Sequence, residues 1–322
     1  MNASDVLILG GGVIGLTVAL ACADRGARVG VLTGERPPTT LAAGGMLCPS
    51  FEAAHEGGRT LAALGGESLA LWDDHAARVT DGVPMVIDYR RGGVVGVGYP
   101  PGFLKGASLP VPQGVQADAA VLVPEEGQVD PRRLMTALDR RLTEIGVERH
   151  AVTATELLRE GGRVVGAAAG GARFLAARTI LATGAGTGLA PQGLIEPVRG
   201  RAFAARLPDD VVFDLPGADV LRAPAVYVCR KADGVLYVGA TEELRPADAV
   251  LDGLWHEACW LIPALRRAER LSVFDGMRPG TRSGLPVLRA AEEGLFLALG
   301  HHRNGVLLAP VTAARAAAWA LG

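Results

Sequence analysis

The stretch "VLILGGGVIGLTVALACADRGARVGVL" (6–32) constrains the fold more than any other part of the chain. Residues 5–9 are a short apolar run that reads as a buried strand. Gly10, Gly12 and Gly15 follow as GxGxxG, a helical apolar pattern covers 13–25 until Gly26 stops it, and "ARVGVL" is a second strand. Such a βαβ unit has a right-handed crossover, which puts both strands parallel in one sheet. Without Cβ atoms the glycines let the backbone turn tightly, approach a pyrophosphate and pack the helix against the strand. The helix N-terminus, with Val13 and Ile14 in its first turn, offers free N–H groups and partial positive charge to an anion. The pattern therefore predicts a dinucleotide site. The second strand closes on Thr33, where a ribose-binding acid is expected; Glu35 stands two residues on, and Arg36 would suit a 2′-phosphate. The fingerprint alone leaves the nucleotide open.

With 32 Lys+Arg against 34 Asp+Glu in 322 residues, and neither sign in blocks, the chain points to a small-molecule partner, not to nucleic acid or an anionic membrane. Cys22, Cys48, Cys229 and Cys259 lack CxxC spacing, so no disulfide framework or zinc site is expected and a reducing cytoplasm suits them. No apolar stretch reaches the ~20 residues of a membrane span, and the N-terminus lacks the cationic start of a signal peptide. His301 and His302 are adjacent, so their side chains diverge, and no third metal ligand stands at a useful spacing; with His55, His75, Trp72 and Trp255 they read as fold residues.

Further along, 61–79 reads as a helix with one glycine interruption, and 82–124 as antiparallel strands with tight turns. Residues 129–147 form a helix capped by Asp130 with Pro131 in its first turn. Alternating segments cover 148–158 and 163–169, and "RFLAARTILATGAGTG" is a strand running into a glycine turn at Thr183 and Gly184. A hairpin covers 225–241 around "ADG", a helix covers 250–265, and the chain ends in a strand, a turn and a helix starting near Gly305. The expected fold is α/β. A doubly wound Rossmann-like domain (1–81, 128–192 and 281–322) is interleaved with a mainly antiparallel β-sheet domain (82–127 and 193–280) that takes the substrate.

Three later segments carry candidate chemistry. "TTLAAGGMLCPSFE" (39–52) is a small-residue loop suited to lying along a broad ring system. In "DGMRPGTRSGLPVL" (275–288), Pro279 forces Arg278 into extended geometry, so its guanidinium fork suits a carboxylate or, alternatively, a sheet carbonyl. "GHHRNGVLLAPVTAA" (300–314) sets a polar turn at a helix N-terminus, where free N–H groups suit a developing negative charge. Tyr227 either donates its hydroxyl to a substrate carboxylate or is a half-buried strand aromatic.

Together the fingerprint, "AAGGML", "GQVDP", "VRG", "AVYVCRKADGVLYVGAT", "GMRPGTRSGLP" and "GHHRNGVLLAP" resemble the flavin-dependent D-amino-acid oxidase group, and within it the glycine oxidases of thiamine-thiazole synthesis. That resemblance implies FAD and oxidation of glycine or another small amino acid to its imine, then to a 2-oxo acid and ammonia, with O2 reduced to hydrogen peroxide. It assigns substrate binding to Arg278, Tyr227 and Arg303. It assigns FAD contacts to Gly10, Gly12, Val13, Ile14, Gly15, Thr33, Gly44, Gly45, Met46, Leu47, Val152, Thr183 and Gly184. The run His302, Arg303, Asn304, Gly305, Val306 and Leu307 completes that set. With no cysteine after Cys259, the FAD is expected to be non-covalent. A homo-oligomer is in keeping with the group. Thr33, Ala225 and Glu242 depart from its pattern. A quinone-linked D-amino-acid dehydrogenase and a non-catalytic flavin-binding partner protein are the alternatives.

Overall fold

In the computed structural model, which describes residues 4–55, 57–186, 188–244 and 248–322, the strand Ser4–Leu9 lies at the heart of an eight-stranded sheet. It pairs in parallel with Val29–Leu32 on one side and Ala172–Leu181 on the other. Glu148–His150 extends the sheet beyond Val29–Leu32, and Leu295–Leu299 extends it beyond Ala172–Leu181, both in parallel; Val287–Glu292 closes that edge antiparallel. The strand Arg163–Ala169 pairs antiparallel with Ala154–Glu160 on one side and with the start of Ala172–Leu181 on the other.

Helix α1 (Val13–Ala23) is buried from Val13 to Cys22, which explains why its sequence is apolar all round and not striped. The helix lies this close to the sheet because Gly15 has no Cβ: one built there would overlap the Gly10 carbonyl. Gly10, at φ +132°, leaves equally little room beside the Ala182 carbonyl. Helix α2 (Pro49–Glu52) follows the loop after the second strand.

The single helix expected over 61–79 is two, α3 (Gly58–Ala70) and α4 (Trp72–Thr80), which meet at Leu71. The glycine pair is not the break. A Cβ on Gly65 would sit 2.9 Å from Pro49 Cβ and 3.1 Å from Leu307 Cδ2, so this glycine lets α3 pack closely on its neighbours. Helix α5 (Pro131–Glu144) opens as expected, Asp130 accepting the Arg132 and Arg133 backbone N–H groups.

The second eight-stranded sheet runs, edge to edge, through Glu269–Gly280, Glu196–Arg206, Leu236–Gly239, Tyr227–Arg230, Val220–Arg222, Val94–Val97, Ala120–Val123 and Ala107–Leu109. Every neighbouring pair is antiparallel except Val220–Arg222 with Val94–Val97. The expected hairpin is Tyr227–Arg230 with Leu236–Gly239. Helix α6 (Asp248–Leu261) covers this sheet and ends earlier than expected, giving way to a short 3-10 turn at Pro263–Arg267.

Helix α7 (Gly305–Leu321) carries Pro310 in its interior and is buried against α1 and α3. Local repair comes from α3: the Ser68 hydroxyl donates to the Leu307 carbonyl at 2.6 Å and accepts the Val311 N–H at 3.3 Å. Trp72 Nε1 donates to the same carbonyl at 3.0 Å. These bonds serve the backbone groups that a proline leaves disturbed, and they fix where the N-terminus of α7 points. No helix among the described residues is long and apolar enough to cross a membrane.

Candidate functional site

A cleft of about 1480 Å³ runs between the two sheets, from the first strand–turn–helix to the hairpin of the second sheet. Its nucleotide end is lined by Gly10, Gly12, Val13, Ile14, Thr33, Thr183 and Gly184, with Thr153 to Thr155 opposite. Two helix N-termini open onto it, α1 through Val13 and Ile14 and α7 through Gly305 and Val306. The Val13 N–H donates to Thr40 Oγ1 at 3.1 Å, while the next N–H groups of α1 have no partner within the helix. A Cβ on Gly184 would meet nothing within 4 Å, and one on Gly12 nothing nearer than Thr40 Oγ1 at 3.5 Å. The glycine walls thus leave a cradle, with N–H groups facing it, that fits a pyrophosphate.

Thr33 lines this end, its hydroxyl 3.2 Å from the His150 carbonyl to which it donates. Toward a ribose it therefore acts as an acceptor only. Glu35 and Arg36 line the rim and are exposed.

Gly44, Gly45 and Met46 line the middle of the cleft. This loop is held from beneath by Lys231, a residue the sequence reading did not single out. Its ammonium is buried and donates to the Gly44 carbonyl (2.7 Å), Gln128 Oε1 (2.8 Å) and the Val129 carbonyl (3.2 Å). Burial pushes its pKa below the ordinary lysine value, and the three oxygens satisfy all three ammonium protons. Gly45, at φ +78°, lies against the Val129 carbonyl where a side chain would clash.

At the far end Arg278 stands opposite Val198 in the register of Glu269–Gly280 with Glu196–Arg206. Its guanidinium lies flat over Gly200, the glycine of "VRG", and Nη1 donates to the Thr241 carbonyl at 2.8 Å. The sheet-carbonyl alternative is thus met by one N–H, and the remaining donors are free to face the cleft. Tyr227 stacks on Tyr237 (5.8 Å between ring centroids, 14° between planes), and Tyr237 stacks on Phe274. Tyr237 is fixed by donating to the Ala42 carbonyl at 2.6 Å. Burial raises the pKa of both phenols, so each hydroxyl stays a donor.

Arg303 lies between two carboxylates, Nε 3.1 Å from Glu52 Oε2 and Nη1 3.6 Å from Glu242 Oε2. Asn304 donates to the same Glu52 oxygen at 2.8 Å, and His302 Nε2 lies 3.3 Å from Glu242 Oε1. Desolvation pulls the His302 pKa below the ordinary imidazole value. His55, read from sequence as a fold residue, lines the cleft with its pKa lowered to about 4 by burial and by Arg303, and its Nε2 meets Arg222 Nη2 at 3.2 Å. Both imidazoles are neutral at pH 7.

Among the other positions singled out from sequence, Gly15, Leu47, Val152 and Leu307 do not line the cleft. Gly15 and Leu307 serve packing, Leu47 is buried behind Met46, and the Val152 carbonyl accepts the Gly34 N–H at 3.2 Å. Glu52, Arg222 and Lys231 were missed. The available signal was charge placed inside apolar runs, as in "LCPSFE" and "VLRAPAVYVCRK". Among the described residues no group of three or more His, Cys, Asp or Glu could hold a metal ion.

The bifunctional protein ThiO/ThiG of Trichormus variabilis is 30% identical over 96% of this chain, which spans about half the length of that relative (51%). The glycine oxidase of Geobacillus kaustophilus is 28% identical over 96% of this chain and 90% of its own. The crystal structure of glycine oxidase from Geobacillus kaustophilus superposes with a TM-score of 0.83 at 25% identity, over 98% of this chain and 93% of that one. The FAD dependent oxidoreductase family model matches residues 5–319, and the chain belongs to that family.

Proposed function

We propose that this protein oxidises the C–N bond of glycine or another small amino acid, holding FAD non-covalently and passing the electrons to O2. The observation that carries this reading is the Arg278 guanidinium laid over Gly200, with free donors turned to the same cleft that holds the glycine cradle. Gly10, Gly12, Val13, Ile14, Thr33 and Gly184 would hold the nucleotide and pyrophosphate. Gly44 to Met46 and the N-terminus of α7 would hold the ring. FAD, when bound, supplies a two-electron acceptor.

The chain's own residues position the substrate. Arg278 grips the carboxylate through two parallel hydrogen bonds, and the Tyr227 hydroxyl donates a third. Fixing the carboxylate at two points fixes the direction of the αC–H, so orientation carries most of the acceleration. Arg303 is held by Glu52 and Glu242 and keeps the substrate end of the cleft in shape. His55 and His302 are neutral at pH 7, so neither brings a charge against the amine. The amine must be neutral for its lone pair to form the C=N bond. The released imine is hydrolysed by water to a 2-oxo acid and ammonia. The division into an FAD domain (1–81, 128–192, 281–322) and a substrate domain (82–127, 193–280) belongs to the same proposal. The similarity to proteins named ThiO/ThiG supports a place in thiamine biosynthesis.

The test is oxygen uptake and peroxide release with glycine, sarcosine, D-alanine and D-proline. At least one should drive both in equal amounts. Dye or quinone reduction by an amine without oxygen uptake would instead assign a dehydrogenase.

A further inference from the structure

At the substrate end of the cleft the guanidiniums outnumber the carboxylates by one, and the pairing among them is uneven. Five charged side chains face one another there: Arg222, Arg278 and Arg303 against Glu52 and Glu242. Both acids are already paired with Arg303, and Glu52 also accepts from Asn304. Arg278 and Arg222 are left without a carboxylate partner among the described residues. The carboxylate of an amino acid answers only one of them.

Arg222 is the more unusual of the two. It ends the strand Val220–Arg222, is 5% exposed, and its Nε is buried without a hydrogen-bond partner. Among the described residues its one hydrogen-bonding side-chain partner is the neutral imidazole of His55, which brings no negative charge. The guanidinium lies 5.4 Å over the ring of Tyr227, the residue whose hydroxyl the proposed reaction uses. A buried guanidinium that only held the fold would have its donors satisfied and its charge paired. This one is unpaired and lines the cleft. Its buried charge has no counter-charge among the described residues, and a ligand in the cleft it lines can supply one.

We propose that Arg222 recognises a second carboxylate, so that the preferred substrate class is a small amine bearing two carboxylates, one on Arg278 and one on Arg222. This rests on the reading of the cleft as an amino-acid oxidase site. The second carboxylate is carried either on the nitrogen, as in iminodiacetate, or on the α-carbon substituent, as in D-aspartate. The mechanism is unchanged: the same C–N bond is oxidised, and Arg222 adds binding energy and orientation remote from it.

The test uses unreactive ligands on the FAD-loaded protein, so that binding is read apart from turnover. Diglycolate against methoxyacetate adds the second carboxylate on the nitrogen side; succinate against propionate adds it on the carbon side. Binding is read from the perturbed visible absorbance of the flavin and by calorimetry. In at least one pair the diacid should bind about tenfold tighter or better, as expected for one charge-assisted pair. Arg222→Met should bring that ratio to near one, and Arg222→Lys, which keeps the charge, should retain part of it. Equal affinities within both pairs in the native protein, or a preference that survives Arg222→Met, would overturn the proposal, and the first outcome needs no variant to fold. Tight diacid binding with no flavin bleaching by iminodiacetate or D-aspartate would count against the oxidase reading alone.

Discussion

Gly200→Ala isolates the carboxylate clamp from the stability of the fold. A Cβ built on Gly200 falls inside contact distance of Arg278 Cζ and both terminal nitrogens, and meets nothing else among its three nearest atoms. What has to move is the far end of one side chain and its bond to the Thr241 carbonyl. Gly200 stands opposite Gly276 in a continuous antiparallel ladder, and alanine is tolerated in an extended strand. Folding should therefore change by less than about 1 kcal/mol. The loss falls on binding. A charge-assisted hydrogen bond is worth about 1.5–3 kcal/mol, which corresponds to a rise of about 10- to 150-fold in KM. The assay is steady-state oxygen uptake against substrate concentration, beside a thermal melt and the visible spectrum of the bound flavin. KM should rise at least tenfold while the melting temperature and flavin content stay close to the native values. A KM within twofold of native, with the fold intact, would refute the clamp. So would an equal loss of binding for an amine that has no carboxylate.

Two further outcomes follow from single residues. Thr33 spends its proton on the His150 carbonyl, and Thr33→Glu adds a carboxylate at the ribose while keeping the Cβ that stands beside Gly11; FAD should bind about fivefold tighter, and an unchanged FAD dissociation constant would count against that role. Glu126 is buried with Oε1 accepting the Ser50 N–H at 2.6 Å and Oε2 unpartnered, and burial lifts its pKa from 4.5 to about 7. The folded state thus holds a proton between pH 4.5 and 7 that the unfolded state releases, and this stability is lost as pH rises through 7. Glu126→Gln should remove that loss, by on the order of 2 kcal/mol. Its melting temperature should gain on the native protein from pH 5 to pH 8, and a constant difference would contradict the assignment.

What the sequence disclosed tracks how local the physics is. The strand, glycine turn and helix at 5–25, the Asp130 cap and the hairpin around "ADG" are each set within a few residues, and each stands where the pattern puts it. The glycines at 65–66 misled because a glycine can interrupt a helix or let it pack. Only the approach of Pro49 and Leu307 tells which. The motifs around Arg278 and Arg303 were legible as chemistry. Their partners were not, since Thr241, Glu52 and Glu242 reach them across sequence separations of 37 to 251 residues. Lys231 and Arg222 were passed over for the same reason: a cation in a strand-rich stretch looks solvated until the sheet folds over it.

If this cleft brings an amino acid to a bound flavin, the visible spectrum of the flavin reports it once oxygen is excluded. Purified protein should be yellow, and anaerobic addition of glycine, sarcosine, D-alanine, D-proline, iminodiacetate or D-aspartate should bleach the visible bands with at least one of them. Admitting oxygen should then restore the colour. A colourless protein that takes up no FAD, or a yellow one that no amino acid of the panel bleaches, would contradict it.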